Sequence, residues 1–334
     1  MKIYRVWSCL VMSVALLALV LCFGTTAFAY GTIDTERESS LTVYFGRNGN
    51  AFSGVEFRVY RVADVSAGAR FTLSGDFAEY PVVVNGLDSS GWRTLAQTLD
   101  GYVARDNLKP LQTAKTGSDG RAYFARLDPG LYLVTGDRYR QGRYTYIPEP
   151  FLVCLPSLDG ESDAWVYDAV ASCKYDSQYN PPGGDDNTVD REVLKVWKDD
   201  GNEDRRPDEI VVQLLRDSEV YATVTLSADN NWRYTWTGLD DDHTWRVVEY
   251  QTPESYTVMV NREGITFVMT NTCDTPPDNP PETPPPGSPS DTPPDKPVLP
   301  QTGELWWPVP LLTCSGLLLF FIGWTRRRHA EQES

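Results

Sequence analysis

The sequence predicts an all-β chain: two tandem β-sandwich domains, the first with a helical insertion, then a Pro-rich stalk and a C-terminal transmembrane helix. Three observations predict it. Strand-like runs rich in Val, Tyr and Trp recur at short spacing between turn residues. A single helical periodicity interrupts them. Stretches rich in Pro, Gly and Asp divide the rest.

Each element follows in order. Lys2 and Arg5 precede an apolar stretch from about Val6 to Phe23, and Ala27-Phe28-Ala29 supplies the small-x-small pattern of a signal-peptidase site. Residues 1–29 are therefore expected to be a signal peptide cleaved after Ala29. Domain one, residues 38–175, has strand-like runs at Leu41–Phe45, Val55–Val62, Arg121–Phe124, Gly130–Val134, Tyr144–Ile147, Phe151–Leu155 and Trp165–Ala171. Between them Trp92, Leu95, Ala96, Leu99, Tyr102 and Val103 fall on one helical face, with Ser89 or Ser90 as the expected cap. This helix should lay its apolar stripe on one sheet. Residues 176–189, through Asn180-Pro181-Pro182-Gly183-Gly184-Asp185-Asp186, read as a linker. Domain two, residues 190–273, packs tighter runs at Val193–Trp197, Ile210–Arg216, Val220–Leu226, Trp232–Thr237, Thr244–Tyr250, Tyr256–Val260 and Ile265–Asn271, as a small Greek-key sandwich would.

Residues 274–298 are mainly Pro, Thr, Asp and Ser, and cannot form a core. At about 3.1 Å per residue, such a polyproline-like stalk reaches on the order of 75 Å. Leu299-Pro300-Gln301-Thr302-Gly303 follows, then an apolar run over 305–324, long enough to span a bilayer. The tail, residues 325–334, opens with Arg326-Arg327-Arg328, which favours the cytoplasmic side.

Composition narrows the function. With 46 acidic and 30 basic residues the formal net charge is −16, which disfavours nucleic acid and anionic membrane surfaces as partners. Of six cysteines, Cys9 and Cys22 leave with the signal and Cys314 lies in the span. Cys154, Cys173 and Cys273 remain, an odd number that argues against a disulfide framework. A Cys154–Cys173 bridge within domain one is allowed. After processing, His243 is the remaining histidine of the ectodomain, in the turn-like run Asp240-Asp241-Asp242-His243, a poor place for a buried base. Clustered His/Cys metal ligands are absent. Asp199-Asp200-Gly201-Asn202-Glu203-Asp204 has calcium-loop composition without the ligand spacing, and reads as a solvated turn. No cofactor is implied.

Strand parity singles out three polar residues. Asn271 shares a face with Ile265, Phe267 and Met269; Lys195 with Val193 and Trp197; Glu249 with Trp245 and Val247. A lysine, an acid and an amide all point to one core. Burying them unpaired would be expensive, so they should meet. Desolvation lowers a lysine's pKa and raises a carboxylic acid's. A neutral Lys195 amine is a nucleophile, and a protonated Glu249 could polarise the Asn271 carbonyl and shuttle protons as ammonia leaves. The product is a Lys–Asn isopeptide bond. An ordinary buried ion pair with an amide neighbour is the alternative that these residues alone leave open.

Several stretches resemble known families. Leu194-Lys195-Val196-Trp197, Asn231-Trp232, Tyr234-Thr235-Trp236-Thr237-Gly238-Leu239, Val248-Glu249 leading to Pro253 and Tyr256, and Thr270-Asn271-Thr272 resemble the collagen-adhesin B-type domain of Gram-positive surface proteins and pilins. That resemblance implies a Lys195–Asn271 cross-link formed with help from Glu249, and a transthyretin-like, inverse immunoglobulin-like sandwich. Ser255 departs from the family, in which glycine commonly precedes the tyrosine. Domain one looks like a more distant relative: Leu131-Tyr132-Leu133-Val134-Thr135 matches the strand that carries the acid, with Gly136 in the acid's place and Thr42 in the lysine's. Its Trp165-Val166-Tyr167-Asp168-Ala169-Val170-Ala171-Ser172-Cys173-Lys174 is similar to the pilin motif, which implies Lys174 as a candidate linkage to the next subunit; Ser172 and Cys173 depart from that motif. Leu299, Pro300, Gln301, Thr302 and Gly303, with the span and basic tail behind them, resemble a cell-wall sorting signal. That implies sortase cleavage between Thr302 and Gly303 and transfer to a peptidoglycan precursor.

The expected function is a wall-anchored, pilin-like structural or adhesive subunit, a sortase substrate rather than a turnover enzyme. Its partners would be other pilin subunits or a host surface or matrix protein. A monomeric adhesin is the alternative. A hydrolase in domain one, using paired carboxylates, is a third reading.

Overall fold

A computed structural model describes residues 31–159, 164–180 and 188–273, which form part of one compact unit. The expected signal peptide, stalk, sorting motif, span and tail lie outside the described residues. Among those described, no helix is long and apolar enough to cross a membrane.

The first half is built on β1 (Ser39–Tyr44), β2 (Glu56–Val65), α1 (Ser89–Asp106), β3 (Arg121–Leu127), β4 (Gly130–Gly136), β5 (Tyr144–Pro148), β6 (Phe151–Leu155), β7 (Asp168–Ser172) and β8 (Tyr175–Tyr179). One sheet runs β7-β1-β3, with β1 and β7 parallel. The facing sheet runs β6-β4-β2 and is extended by two short strands, Phe71–Leu73 and Gln112–Lys115. Between them lies an aromatic-rich core that includes Leu41, Val43, Phe45, Phe52, Phe57, Phe124, Tyr132 and Tyr146. β8 pairs with β5, so residues 176–179, expected in the linker, are strand.

The second half contains β9 (Thr188–Lys198), β10 (Glu209–Arg216), β11 (Glu219–Ser227), β12 (Arg233–Asp240), β13 (Trp245–Glu249), β14 (Thr257–Glu263) and β15 (Thr266–Thr272). Its sheets run β12-β9-β15-β14 and β11-β10-β13. Each of the seven runs read from the sequence overlaps one of these strands. β9 and β15 are parallel, as β1 and β7 are in the first half.

The helix departs most from expectation. Asp88, not Ser89 or Ser90, is its N-cap, and its carboxylate accepts from the Gly91 amide at 2.7 Å. At the other end Asn107 takes the left-handed conformation that terminates helices, with φ 52°. Instead of lying on one sheet, α1 is wedged between the two halves. Leu95, Ala96, Leu99 and Tyr102 belong to a core shared with Leu131 and Leu133 on β4 and Val247, Val248, Val258 and Val260 of the second half. β4 is therefore covered on both faces, since Tyr132 and Val134 face the sandwich core. That is why it reads as an unbroken apolar run rather than an alternating one. Gly101 makes close approach to β13 practical: a Cβ there would stand 2.9 Å from Val248 Cγ1.

The seam also closes an edge strand. β14 ends its sheet, and a free edge leaves amides unpaired. Three of these amides find acceptors in the first half: Val258 N–H on the Pro81 carbonyl, Val260 N–H on Thr98 Oγ1 and Arg262 N–H on Gln97 Oε1, each at 2.8 Å. Asp100 and Arg246 add an ion pair at 2.5 Å.

Candidate functional site

Lys195 and Asn271 sit on neighbouring parallel strands, in a register that pairs Lys195 with Met269 and Trp197 with Asn271. They share a face, two residues apart. Glu249 ends β13 in the opposite sheet, across from Val212 on β10. The interior thus brings the three side chains together, with overall exposures of 4 %, 1 % and 0 % for Lys195, Glu249 and Asn271. Lys195 Nζ lies 3.4 Å from Glu249 Oε1, and Asn271 Nδ2 donates to both Glu249 oxygens at 3.1 and 3.0 Å. The amide nitrogen, rather than the expected carbonyl, faces the acid. A half-turn of the amide would exchange the two. Lys195 Nζ and Asn271 Oδ1 are buried without a hydrogen-bond partner.

Burial pushes the Lys195 pKa down to about 8, against the upward pull of the Glu249 and Asp199 charges. The neutral amine is thereby brought within reach of ordinary pH.

Aromatic rings wall the lysine. Its Nζ is 4.1 Å from the centre of the Trp197 ring, and that ring meets Trp232 and Tyr256 edge-on at 5.3 and 5.2 Å. Beyond Trp197 the loop expected to be a solvated turn proves otherwise. The Asp199 side chain is fully buried. It accepts from Arg206 Nε at 2.6 Å, from a second Arg206 nitrogen, and from the Tyr256 hydroxyl at 2.8 Å. The Arg206 contacts hold the Asp199 carboxyl below its usual range. Sequence reasoning missed Asp199, although the signal was present: Val193, Lys195, Trp197 and Asp199 continue one parity.

The other singled-out residues are dispersed. Cys154 and Cys173 are free thiols, as is Cys273, so the allowed disulfide is absent. Parity explains it. Cys154 shares a face of β6 with Leu152, which packs on the helix side, whereas Cys173 belongs to the sandwich core on the opposite side of that sheet. Burial pushes both thiols up to about 12, which makes them poor nucleophiles. Lys174 is exposed between β7 and β8, and its carbonyl accepts from the Glu149 amide at 2.8 Å. Thr42 faces away from the core, while its neighbours Leu41 and Val43 are buried, so it is not an inward counterpart of Lys195. Gly136 ends β4 opposite Phe57, and a Cβ there would lie 2.6 Å from the Phe57 ring. The ring occupies the space an acid would need. His243 pairs with Asp217 at 2.6 Å near the surface. Among the described residues, no group of three His, Cys, Asp or Glu side chains is arranged to hold a metal ion.

Comparison with known proteins finds a match over the stretch that contains this site. Residues 191–272 match the model of the Cna protein B-type domain. A collagen adhesin of Staphylococcus aureus is 37 % identical over 87 residues, which is 24 % of this chain and 7 % of that protein. The chain therefore spans less than a tenth of that relative's length. Among solved structures, a single B repeat unit of the collagen-binding surface protein of S. aureus is 18 % identical, with 70 % of this chain and 96 % of that chain covered and a TM-score of 0.25. The full-length major pilin SpaD of Corynebacterium diphtheriae is 17 % identical over 72 % of this chain and 65 % of that chain, with a TM-score of 0.27.

Proposed function

We propose that the chain is a pilin-like structural or adhesive surface protein whose second half cross-links itself through Lys195 and Asn271. The observation that carries this reading is the fully buried trio, in which a lysine with a lowered pKa and a carboxamide meet the same carboxyl group. The B-type match over 191–272 supports it independently.

The chemistry balances without a cofactor. The proton of the Lys195 ammonium passes to Glu249, leaving a neutral amine and a protonated acid. The amine adds to Asn271 Cγ, and the new C–N bond forms as the carbonyl oxygen takes up negative charge. Glu249 delivers its proton to the departing Nδ2, which it already faces, and takes one back from the new amide nitrogen as ammonia leaves. That last proton leaves with the ammonia as ammonium, so Glu249 ends as the carboxylate it was at the start. The bond would tie β9 to β15, the first and last strands of the second half, so tension along the chain would bypass its core.

Anchoring belongs to the same proposal. Leu299–Gly303, the apolar run and the basic tail support sortase cleavage after Thr302 and attachment to peptidoglycan. A Thr302→Ala chain should disappear from the peptidoglycan-linked fraction; its persistence there would refute sortase anchoring. Lys174, exposed and between strands, is the candidate nucleophile for polymerisation. The named relatives make other pilin subunits, or a matrix protein such as collagen, the partner classes to test. The experiment for the cross-link is the intact mass of the chain and of its Glu249→Ala variant: the wild type should be lighter by one ammonia and the variant should not. Equal, unmodified masses would leave a buried ion pair as the better account.

A further inference from the structure

The cluster behind the lysine has no role in the chemistry above. Asp199 is a fully buried carboxylate held by a two-nitrogen contact from Arg206 and by the Tyr256 hydroxyl. Tyr256 leans its ring edge-on against Trp197, and Trp197 lies under Lys195 Nζ. Arg206 also approaches the Trp197 ring, at 5.9 Å. An unbroken chain of contacts therefore runs from the loop 199–206 to the nucleophile.

Resting on the cross-link reading, we infer that Asp199, Arg206 and Tyr256 form a positioning device for Lys195. Tyr256 braces the Trp197 ring, and that ring sets the height and direction of the amine above the Asn271 strand. Asp199 contributes a fixed negative charge that acts on the lysine, and the Arg206 cation and the Tyr256 hydroxyl offset it. None of the three touches the reacting atoms. The arrangement has a clear electrostatic logic: an unneutralised Asp199 would hold the lysine as an ammonium, whereas full removal of the charge would release its proton too early. Through that chain of contacts the loop sets the balance between the two forms.

The charged and titratable groups around the amine are few. Glu249 faces it from β13 and Asp199 from the end of β9. Arg206, Tyr256 and Cys273 stand behind Asp199 and Trp197. A negative charge raises a lysine's pKa and its removal lowers it. Asp199→Asn should therefore move the apparent pKa that governs ammonia loss downward. Tyr256→Phe keeps the ring but removes a hydrogen bond from the carboxylate, leaves Asp199 less neutralised, and should move that pKa upward.

The test uses residues 31–278, produced unfolded and linear and then refolded at a series of pH values, with ammonia loss followed by intact mass and folding by circular dichroism. Opposite displacements, each of at least about half a pH unit or roughly threefold in rate on the sloping limb, are expected. A loop with only a structural role would slow both variants without separating their apparent pKa values, and that result, or displacement in the same direction, overturns the proposal. If Asp199→Asn does not fold, Tyr256→Phe alone decides by the direction of its displacement. Failure of the wild-type chain to lose ammonia would overturn the cross-link itself, a result distinct from a wild type that reacts and variants that keep its pH profile.

Discussion

The two halves of the molecule share a strand plan and fill its centre with different matter. In each, the first strand runs parallel to one near the end of its half: β1 beside β7, which β8 follows, and β9 beside β15, the last of the second half. In the first half, the space at the end of β4 is filled by the Phe57 ring over Gly136, part of a network with Phe45, Phe52, Tyr146 and Tyr175. In the second half, Glu249 ends the equivalent strand β13, and Lys195 and Asn271 converge on it. The three lysines described in the first half, Lys109, Lys115 and Lys174, are all exposed. One sandwich is closed by apolar packing, which is stable as it stands. The other buries a charge pair that is costly while it remains unreacted. The difference teaches that one architecture admits two kinds of interior at the same place: a ring over Gly136 in one half, and a lysine, an acid and an amide in the other.

The largest effect should come from removing the acid in the second half. Glu249→Ala should abolish the ammonia loss and lower stability by ~4 kcal/mol on the chain-entropy model, because the loop between Lys195 and Asn271 is no longer closed. Thermal unfolding monitored with the intact mass would check both. A variant that keeps the wild-type melting temperature would separate the bond from stability.

In the first half the corresponding change is one of packing. Gly136→Ala puts a Cβ into the Phe57 ring and should destabilise by about 1–3 kcal/mol, with the chain's ammonia loss unchanged. A neutral result in chemical denaturation would mean that Phe57 does not hold the space as described.

The seam connects the two halves. Thr98→Val removes the acceptor of the Val260 amide at a nearly constant volume, and should cost about 1–3 kcal/mol. Hydrogen exchange at Val260 should accelerate with it. Protection that stays at the wild-type level would show that the edge of β14 does not depend on α1.

The smallest effect is kinetic. The reactive form of the Lys195–Glu249 pair carries one proton, which is lost as pH rises past the Lys195 pKa of about 8. The rate of ammonia loss on refolding should therefore decline above about pH 8. A rate that climbs through this range would assign Glu249 the role of an ionised base instead.

Much of this was legible in the sequence because strand parity is a local rule. Alternation in β15 put Asn271 with Phe267 and Met269, and the structure keeps that face buried. The trio could be read because each member interrupts an apolar face. Thr42 misled for the same reason in reverse: residue identity aligned it with Lys195, whereas its parity with the buried Leu41 and Val43 put it outside. The helix was legible as a helix, since its 3.6-residue period is intrinsic. Its docking was not, because Thr98 and Gln97 acquire their meaning from amides more than 160 residues away. Asp199 was hidden by composition. A run of acids and glycine looks solvated until Arg206 and Tyr256, distant from it in different degrees, are folded onto it.

The central claim is a covalent bond between two named residues, and peptide mapping of the folded chain tests it most directly. After proteolysis, the account predicts one branched peptide joining Lys195 to Asn271, lighter by about 17 Da than its two linear parts, as substitution of an amide by an amine requires. Recovery of both linear peptides, with Asn271 still a carboxamide and Lys195 still a free amine in a well-folded chain, would contradict it.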